Sequence, residues 1–378
     1  MNSIRITLVV LVFAFIGNAQ NSFIIKDVKV FDGENVIAST SVKVEDGLIA
    51  EVSKSIKVSD ADQIIDGKGK SLMPALSNAH VHAWAPESLS QAAKAGVLNV
   101  MDMAGVETYQ MAMRQLKDST NYARYYVAGY AATAPEGHGT QFGFPVPTLT
   151  KPEEAKQFIA DRVKADVDHI KIILEPWRNT LSIETVTELI KEAHNAEKMA
   201  VVHISRLEDA VNVLRNNADG LVHIWWDKEL DADTLKTLSE DKSFFVIPTL
   251  LTTTKVFESM GERANEFLKK EQLLAEVKKM HDAGIPILAG TDPPNVGINY
   301  GTDLYKELQL LSESGLSNIE VLKAGTSNIT TAFGLHKTGF VKKGYIADMI
   351  LVDGDVTEDI SSLNNSKVIW KKGKQVKN

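Results

Sequence analysis

From residue 72 to residue 336 the chain repeats one pattern, a short apolar run followed by an amphipathic stretch. Eight such runs can be read, at 72–79, 97–103, 125–129, 169–174, 199–204, 220–224, 244–249 and 286–291. Each is of strand length and flanked by turn residues, whereas the stretches between them, such as 183–196 and 262–283, carry apolar residues at helical spacing. Strand and helix units in this number predict an α/β protein with a (β/α)8 TIM-type barrel, whose chemistry sits at the C-terminal ends of its strands. A doubly wound sheet competes with this reading, but no Gly-X-Gly-X-X-Gly turn is present to support dinucleotide binding.

The flanks read differently. Short turn-bounded strands at 23–31, 41–45, 47–52 and 63–66 have counterparts at 348–353 and 367–373. The two ends are therefore expected to pair in a composite β-sandwich domain, 20–71 with 337–378, into which the domain 72–336 is inserted. Ahead of it, Arg5 is followed by an apolar run from Leu8 to Ile16 and then by Gly17-Asn18-Ala19-Gln20, which reads as a signal peptide over 1–19 cleaved after Ala19. No later run offers the ~20 apolar residues of a membrane span. An exported protein is expected, periplasmic or secreted and soluble after cleavage.

Composition narrows the function classes. The chain has 378 residues, 44% of them hydrophobic, enough for a large core. With 41 basic against 49 acidic residues the formal charge is −8, which argues against nucleic acid as a partner. The tract Lys371-Lys372-Gly373-Lys374 is read as a solvated strand end. There is no cysteine, so disulfides, thiolate metal ligands and a cysteine nucleophile are excluded.

Polar residues recur at the ends of the apolar runs. His80 and His82 close the first, and in an extended strand residues i and i+2 share a face, so both imidazoles can converge on one ion. Lys171 lies in the fourth run, His203 and His223 end the fifth and sixth, and Asp292 ends the eighth. Apolar neighbours make each of these costly to bury without a partner. A metal cluster would satisfy them together.

The order of these six residues, the segment Met73-Pro-Ala-Leu…His80-Val-His82 and the closing Gly344-Tyr-Ile-Ala-Asp-Met-Ile-Leu-Val-Asp353 resemble the amidohydrolase superfamily. The likeness is to its binuclear, carboxylated-lysine branch and to imidazolonepropionase-like and dipeptidase-like members. It implies a metal at His80, His82 and Asp292, a second at His203 and His223, and a carboxylated Lys171 bridging the two. An ammonium group has three donors and no lone pair, and carboxylation by carbon dioxide would make it an anionic ligand. Two divalent ions are expected, zinc first, with iron, manganese, cobalt and nickel also compatible with the ligands. The resemblance further implies a metal-bridging hydroxide as nucleophile, with Asp292 as general base and then acid.

His138, in Glu136-Gly-His138-Gly-Thr140, is the second catalytic candidate, for oxyanion stabilisation or substrate holding, because similar Gly-His-Gly loops occur in some dipeptidase-like relatives. An exposed loop histidine is the alternative. Trp84, Trp177 and Trp225 follow candidate ligands closely and are read as substrate-binding walls, with loop-to-helix packing as the competing account. His169, His194, His281 and His336 are read as structural or surface residues, and Asp303 and Tyr305 as parts of a helix start.

The leading function is metal-dependent hydrolysis of a carbon–nitrogen bond in a small amide, cyclic amide or related ring compound. The alternative is an exported Xaa-Pro-type metallo-dipeptidase, for which Arg178 or Arg206 could meet the peptide carboxylate. A third reading, a catalytically silent barrel that holds metal or ligand, does not account for Asp292. A small-molecule partner is expected, and a homo-oligomer by analogy with the family alone.

Overall fold

Strands from the two ends of the chain hydrogen-bond into one sheet in the computed structural model of the protein, which describes residues 22–60, 62–241, 243–261 and 269–377. The signal segment read at 1–19 lies outside the described residues. The N-terminal strands are β1 (Phe23–Phe31), β2 (Val36–Glu45), β3 (Leu48–Ser53), β4 (Gln63–Asp66) and β5 (Lys70–Pro74). A three-stranded parallel sheet follows from β6 (Leu76–Val81), β7 (Val97–Asp102) and β8 (Arg124–Val127). A four-stranded parallel sheet is then built from β9 (Ile170–Ile173), β10 (Ala200–His203), β11 (Gly220–Val222) and β12 (Phe245–Ile247). Last come β13 (Met349–Asp353), β14 (Lys367–Lys371) and β15 (Lys374–Gln375), which return to the first sheet in the order β15-β14-β13-β5-β1-β2-β3, with β4 parallel to β1.

The terminal sheet has its own core. Phe23 and Ile25 of β1, Val42 and Val44 of β2, and Met349 and Leu351 of β13 form one apolar cluster with Leu72 and Trp370. Trp370 stacks on Phe23 at 5.3 Å between ring centroids, so a large aromatic contact ties one end of the chain to the other.

The apolar run expected as one strand over 72–79 is two. β5 pairs antiparallel with β13 as far as Pro74 opposite Met349, and proline has no N–H with which to continue that ladder. Ala75 N then donates to Asp348 O and Leu76 N to Gly96 O, so the chain changes sheets at Ala75. The eighth run also departs from expectation. It is an extended segment held by one bridge, Val246 to Ile287, and by bonds from Leu288 N to Val246 O, Ala79 N to Ala289 O and Asp292 N to His80 O. Gly290 explains the tight approach, because a Cβ there would meet Ile247 at 2.5 Å and His80 at 3.1 Å. On the far side of β9, Ala132 N donates to Lys171 O and accepts at its own carbonyl from Ile173 N. Backbone bonds thus join the two parallel sheets along both margins.

Helices pack outside the parallel strands. Ser182 caps the helix Ile183–Asn195 by accepting from Thr185 N. The stretch read over 262–283 is helical at Lys270–Asp282, with 262–268 outside the described residues. Within the helix Asp303–Glu313, Tyr305 donates to Ala95 O, and the fully buried Glu307 accepts from Leu250 N and Leu251 N at the start of the helix Leu250–Ser259. Among the described residues, no helix is long and apolar enough to cross a membrane.

The reading of the tract at 371–374 as solvated is corrected at its first residue. Lys371 is fully buried and its Nζ donates to the carbonyls of Lys117, Ser119 and Tyr122, at 2.8, 2.7 and 2.6 Å, while Lys372 pairs with Asp118 at the surface. These carbonyls lie in and just after the short 3-10 turn Gln115–Asp118, and the lysine supplies them with donors. Replacing it as Lys371→Met should lower stability by about 3 kcal/mol, read as a drop in Tm, since buried acceptors lose their donors. An unchanged melting curve would show that these carbonyls rehydrate at no cost.

Candidate metal centre

The C-terminal ends of the parallel strands converge on one cavity of about 360 Å³. His80, His82, Lys171, His203, His223 and Asp292 all line it, together with His138. The tightest group is His80, His82 and Asp292: the two Nε2 atoms are 3.2 Å apart and lie 3.2 and 3.1 Å from Asp292 Oδ1. These three are placed to hold a metal ion, with ligand atoms within 4.8 Å of one another. His223 approaches from the other side, its ring 5.2 Å from that of His80 and 4.5 Å from that of His203.

Three of these four imidazoles, those of His82, His203 and His223, have one nitrogen held by a partner that is not among the six candidate ligands. His82 Nδ1 is 3.1 Å from Ala104 O, His223 Nδ1 is 2.6 Å from Thr249 Oγ1, and His203 Nε2 is 3.0 Å from Glu175 Oε2. A partner on one ring nitrogen sets the tautomer and leaves the other nitrogen as the candidate ligand atom. Backbone geometry contributes too. His223, Thr249 and Asp292 have φ of +71°, +46° and +53°, a left-handed conformation that side chains adopt at a cost and that recurs at functional sites.

Burial governs the protonation states. It pushes His80, His203 and His223 well below the ordinary histidine range, so they stand neutral with lone pairs available. Burial likewise takes the Lys171 amine down to about 7, leaving much of it uncharged near neutrality. For Asp292, burial acts upward, but the neighbouring His82 and His223 outweigh it and the carboxyl ends below its usual value. Lys171 Nζ and His80 Nδ1 are buried without a hydrogen-bond partner. Nitrogen and oxygen donors held in this way fit a divalent metal, which would satisfy groups that are otherwise costly to bury.

The family model described as "Amidohydrolase family" matches residues 71–376. The chain belongs to this family. Like other amidohydrolases it is an enzyme of the hydrolase class. A 5'-deoxyadenosine deaminase of Methanosarcina acetivorans is 27% identical over 346 residues, covering 78% of this chain and 75% of that protein. An ochratoxinase of Aspergillus niger is 25% identical over 208 residues, but these span only 52% of this chain and 42% of that protein. Among solved structures, a Xaa-Pro dipeptidase with bound methionine in the active site superposes with a TM-score of 0.81 at 20% identity, over 94% of this chain and 100% of that one. The A. niger ochratoxinase structure does so with a TM-score of 0.79 at 18% identity, over 94% and 95%. Both structures show that the mixed α/β fold is shared.

The amidohydrolase site corrects one expected residue and adds others. Trp225 does not face the cavity. It is 1% exposed, and its Nε1 donates to the buried Glu276. The left-handed φ of His223 breaks strand alternation there, so Trp226 lines the cavity instead. Trp226 stacks on the exposed Trp177 at 5.5 Å, and Arg206 lies 5.3 Å from the Trp177 ring. His138 is brought in as expected, its ring 5.0 Å from that of His203. Trp84 stands at the rim against Phe144, and Arg178 is exposed. His194 and His281 pair with Asp219 and Glu320 away from the cavity, while His169 is buried with its ring 5.4 Å from that of Phe333.

Glu175 and Asp102 were not singled out from sequence. Strand parity was the available signal for the first, since 171, 173 and 175 share a face. Glu175 also accepts from Ser205 Oγ at 2.9 Å, and burial raises its carboxyl. Asp102 ends β7 and accepts from Ala83 N, Ala104 N, Gln110 Nε2 and Tyr125 OH, fixing the backbone on both sides of His82's contact with Ala104. Its burial pushes it up to about 6. Removing the outer support of His203 with Glu175→Ala should weaken metal binding about 10- to 100-fold in a chelator competition. An unaltered affinity would show that His203 is oriented without Glu175.

Proposed function

We propose that this amidohydrolase cleaves a carbon–nitrogen bond in a small amide, cyclic amide or related ring compound, at a centre of two divalent metal ions. Zinc fits the donor set best. His80, His82 and Asp292 would hold one ion and His203 and His223 the other, with a carboxylated Lys171 between them. The observation that carries this reading is Lys171 itself, an amine 2% exposed and without a hydrogen-bond partner in a cavity shared with five histidines and two carboxylates. As a neutral amine, it can attack carbon dioxide: a C–N bond forms, one proton leaves, and an anionic carbamate results. The proposal includes a closed (β/α)8 barrel at 72–336, supported by the backbone bonds that join the two parallel sheets along both margins, and a composite domain from 20–71 and 337–378.

Bound metal would supply Lewis-acid polarisation of the scissile carbonyl and lower the pKa of water from ~15.7 towards ~7. The protein's own groups complete the reaction. Asp292 Oδ1, set against His80 and His82, takes a proton from the attacking water and passes it to the departing nitrogen. A carbon–oxygen bond forms, the carbon–nitrogen bond breaks, and a carboxylic acid and an amine are released. Burial holds His138 in its neutral form, with a ring N–H to offer the carbonyl oxygen as charge develops there.

One observation favours the dipeptidase reading within this class. Arg206 over Trp177 sets a cation at the mouth beside Glu175, suited to a substrate carboxylate. A panel of acyl anilides, cyclic amides, N-acyl amino acids and Xaa-Pro dipeptides, followed by released amine, tests both. Turnover of at least one class is expected, lost on chelation and regained with zinc. Asp292→Asn should reduce it by about 10²–10⁴-fold. Wild-type turnover in that variant, or none from metal-loaded protein across the panel, would contradict the proposal.

A further inference from the structure

We propose that a second cleft, beside the candidate metal centre on its His82 side, binds an uncharged aromatic arm of the substrate. This rests on the hydrolase reading above and names a substrate feature that the reading leaves open.

The cleft has a volume of about 430 Å³ and is walled by Trp84, Tyr109, Phe142 and Phe144. Trp84 comes two residues after His82, and Tyr109 lies in the first turn of the helix Glu107–Arg114. The two phenylalanines come from the loop 134–148, whose base is closed by the bond from Leu149 N to Thr133 O and whose other end carries His138 into the main cavity. Gly143, at φ +79°, makes the turn between the phenylalanines, a conformation that favours glycine. Their rings lie 6.3 Å apart at 15°, and Trp84 stands 5.6 Å from Phe144 and 6.3 Å from Phe142, both at steep angles. Edge-to-face and offset arrangements of this kind accept a further ring.

These rings are unusually open to water. Tyr109 is 65% exposed, Phe142 51% and Trp84 39%. Clustered exposed aromatic surface marks a binding site, because water leaves it favourably when another apolar group arrives. The occupant is fixed by continuity and charge. His82, Phe142 and Asn295 line both the cleft and the main cavity, so a group in the cleft can be joined by a short linkage to a bond at Asp292. Apart from His82, no acidic or basic side chain among the described residues lines the cleft, whose other walls are apolar rings and uncharged groups that do not pair with a carboxylate or an ammonium. Arg206 lies on the other rim, with Trp177 and Trp226. The substrate is thus polarised across the site: a neutral ring towards Trp84, and any anionic group towards Arg206.

Binding can be read without turnover. N-phenyl-1-naphthylamine, a neutral fluorophore, is titrated into full-length metal-loaded protein and displaced with acetanilide or with N-methylacetamide. Saturable binding at one probe per chain is expected, with acetanilide displacing it at a concentration at least about tenfold lower. Trp84→Ala and Phe142→Ala should each weaken the probe about tenfold, Phe142→Leu less, and Trp177→Ala not at all. Melting curves of the four variants confirm folding, and the leucine variant keeps the test informative if the alanine one unfolds. Equal displacement by the two amides, or unchanged probe binding in the cleft variants, would overturn the inference. So would sedimentation showing the cleft closed between two copies of the chain, with probe admitted only on dissociation. Ring binding without hydrolysis of any amide overturns the function reading alone, whereas hydrolysis with no discrimination between the two amides overturns this inference alone.

Discussion

Everything at the site depends on the join between β6 and the segment that ends in Asp292. Asn78 makes it. Its Nδ2 donates to Thr291 Oγ1 at 2.7 Å, and its Oδ1 accepts from Thr291 N and from His80 N. Asp292 N donates in turn to His80 O, and Thr252 holds Thr291 O from the other side. Residues 213 positions apart in sequence are thereby fixed at hydrogen-bond distance, and all of these groups are buried. Closing so long a loop has an entropic cost that many other contacts share, and this junction, continued by the bond from His82 N to Pro293 O, sets Asp292 against both His80 and His82. Gly290 permits the approach, and any side chain there would push the strand and the carboxylate apart.

The second constraint is electrostatic. Six basic side chains, His80, His82, His138, Lys171, His203 and His223, share a small cavity with Asp292 and Glu175. Full protonation of the bases would be prohibitive at this depth; burial favours the neutral forms of His80, His138, Lys171, His203 and His223, whereas at His82 the Asp292 carboxylate outweighs burial and the imidazole ends above its ordinary value. That same neutrality provides lone pairs for a metal and an amine able to react with carbon dioxide. Outer partners then prevent the rings from turning away: Ala104 for His82, Thr249 for His223, Glu175 for His203. Three left-handed residues, at about 1–3 kcal/mol each, are tolerated because the surrounding bonds leave no other conformation. Stability is given up locally where function needs geometry.

Much of this was legible in the chain because parallel strands buried on both faces read as apolar runs, against which a polar residue stands out. All six candidate ligands were marked in that way, and each lines the one cavity. Legibility failed where the backbone left the strand pattern. Sequence proximity to His223 points Trp225 at the pocket, but a φ of +71° at that histidine turns the following residues and gives the place to Trp226. The run through Pro74 read as continuous because hydrophobicity does not record a change of sheet. Lys371 looked solvated because a lysine's burial depends on three carbonyls contributed from residues some 250 positions away. The cleft residues Tyr109, Phe142 and Phe144 sit in a helix start and a loop with no period to read, and only the folded loop assembles them.

The most direct test of the bridged centre is the metal content of the purified full-length protein, prepared without chelator and kept in bicarbonate, compared with Lys171→Ala treated in the same way. The account predicts about two metal equivalents per chain for the first and a sharp fall for the second. One equivalent in both proteins would contradict it, leaving a single ion at His80, His82 and Asp292 and no role for Lys171 as a ligand.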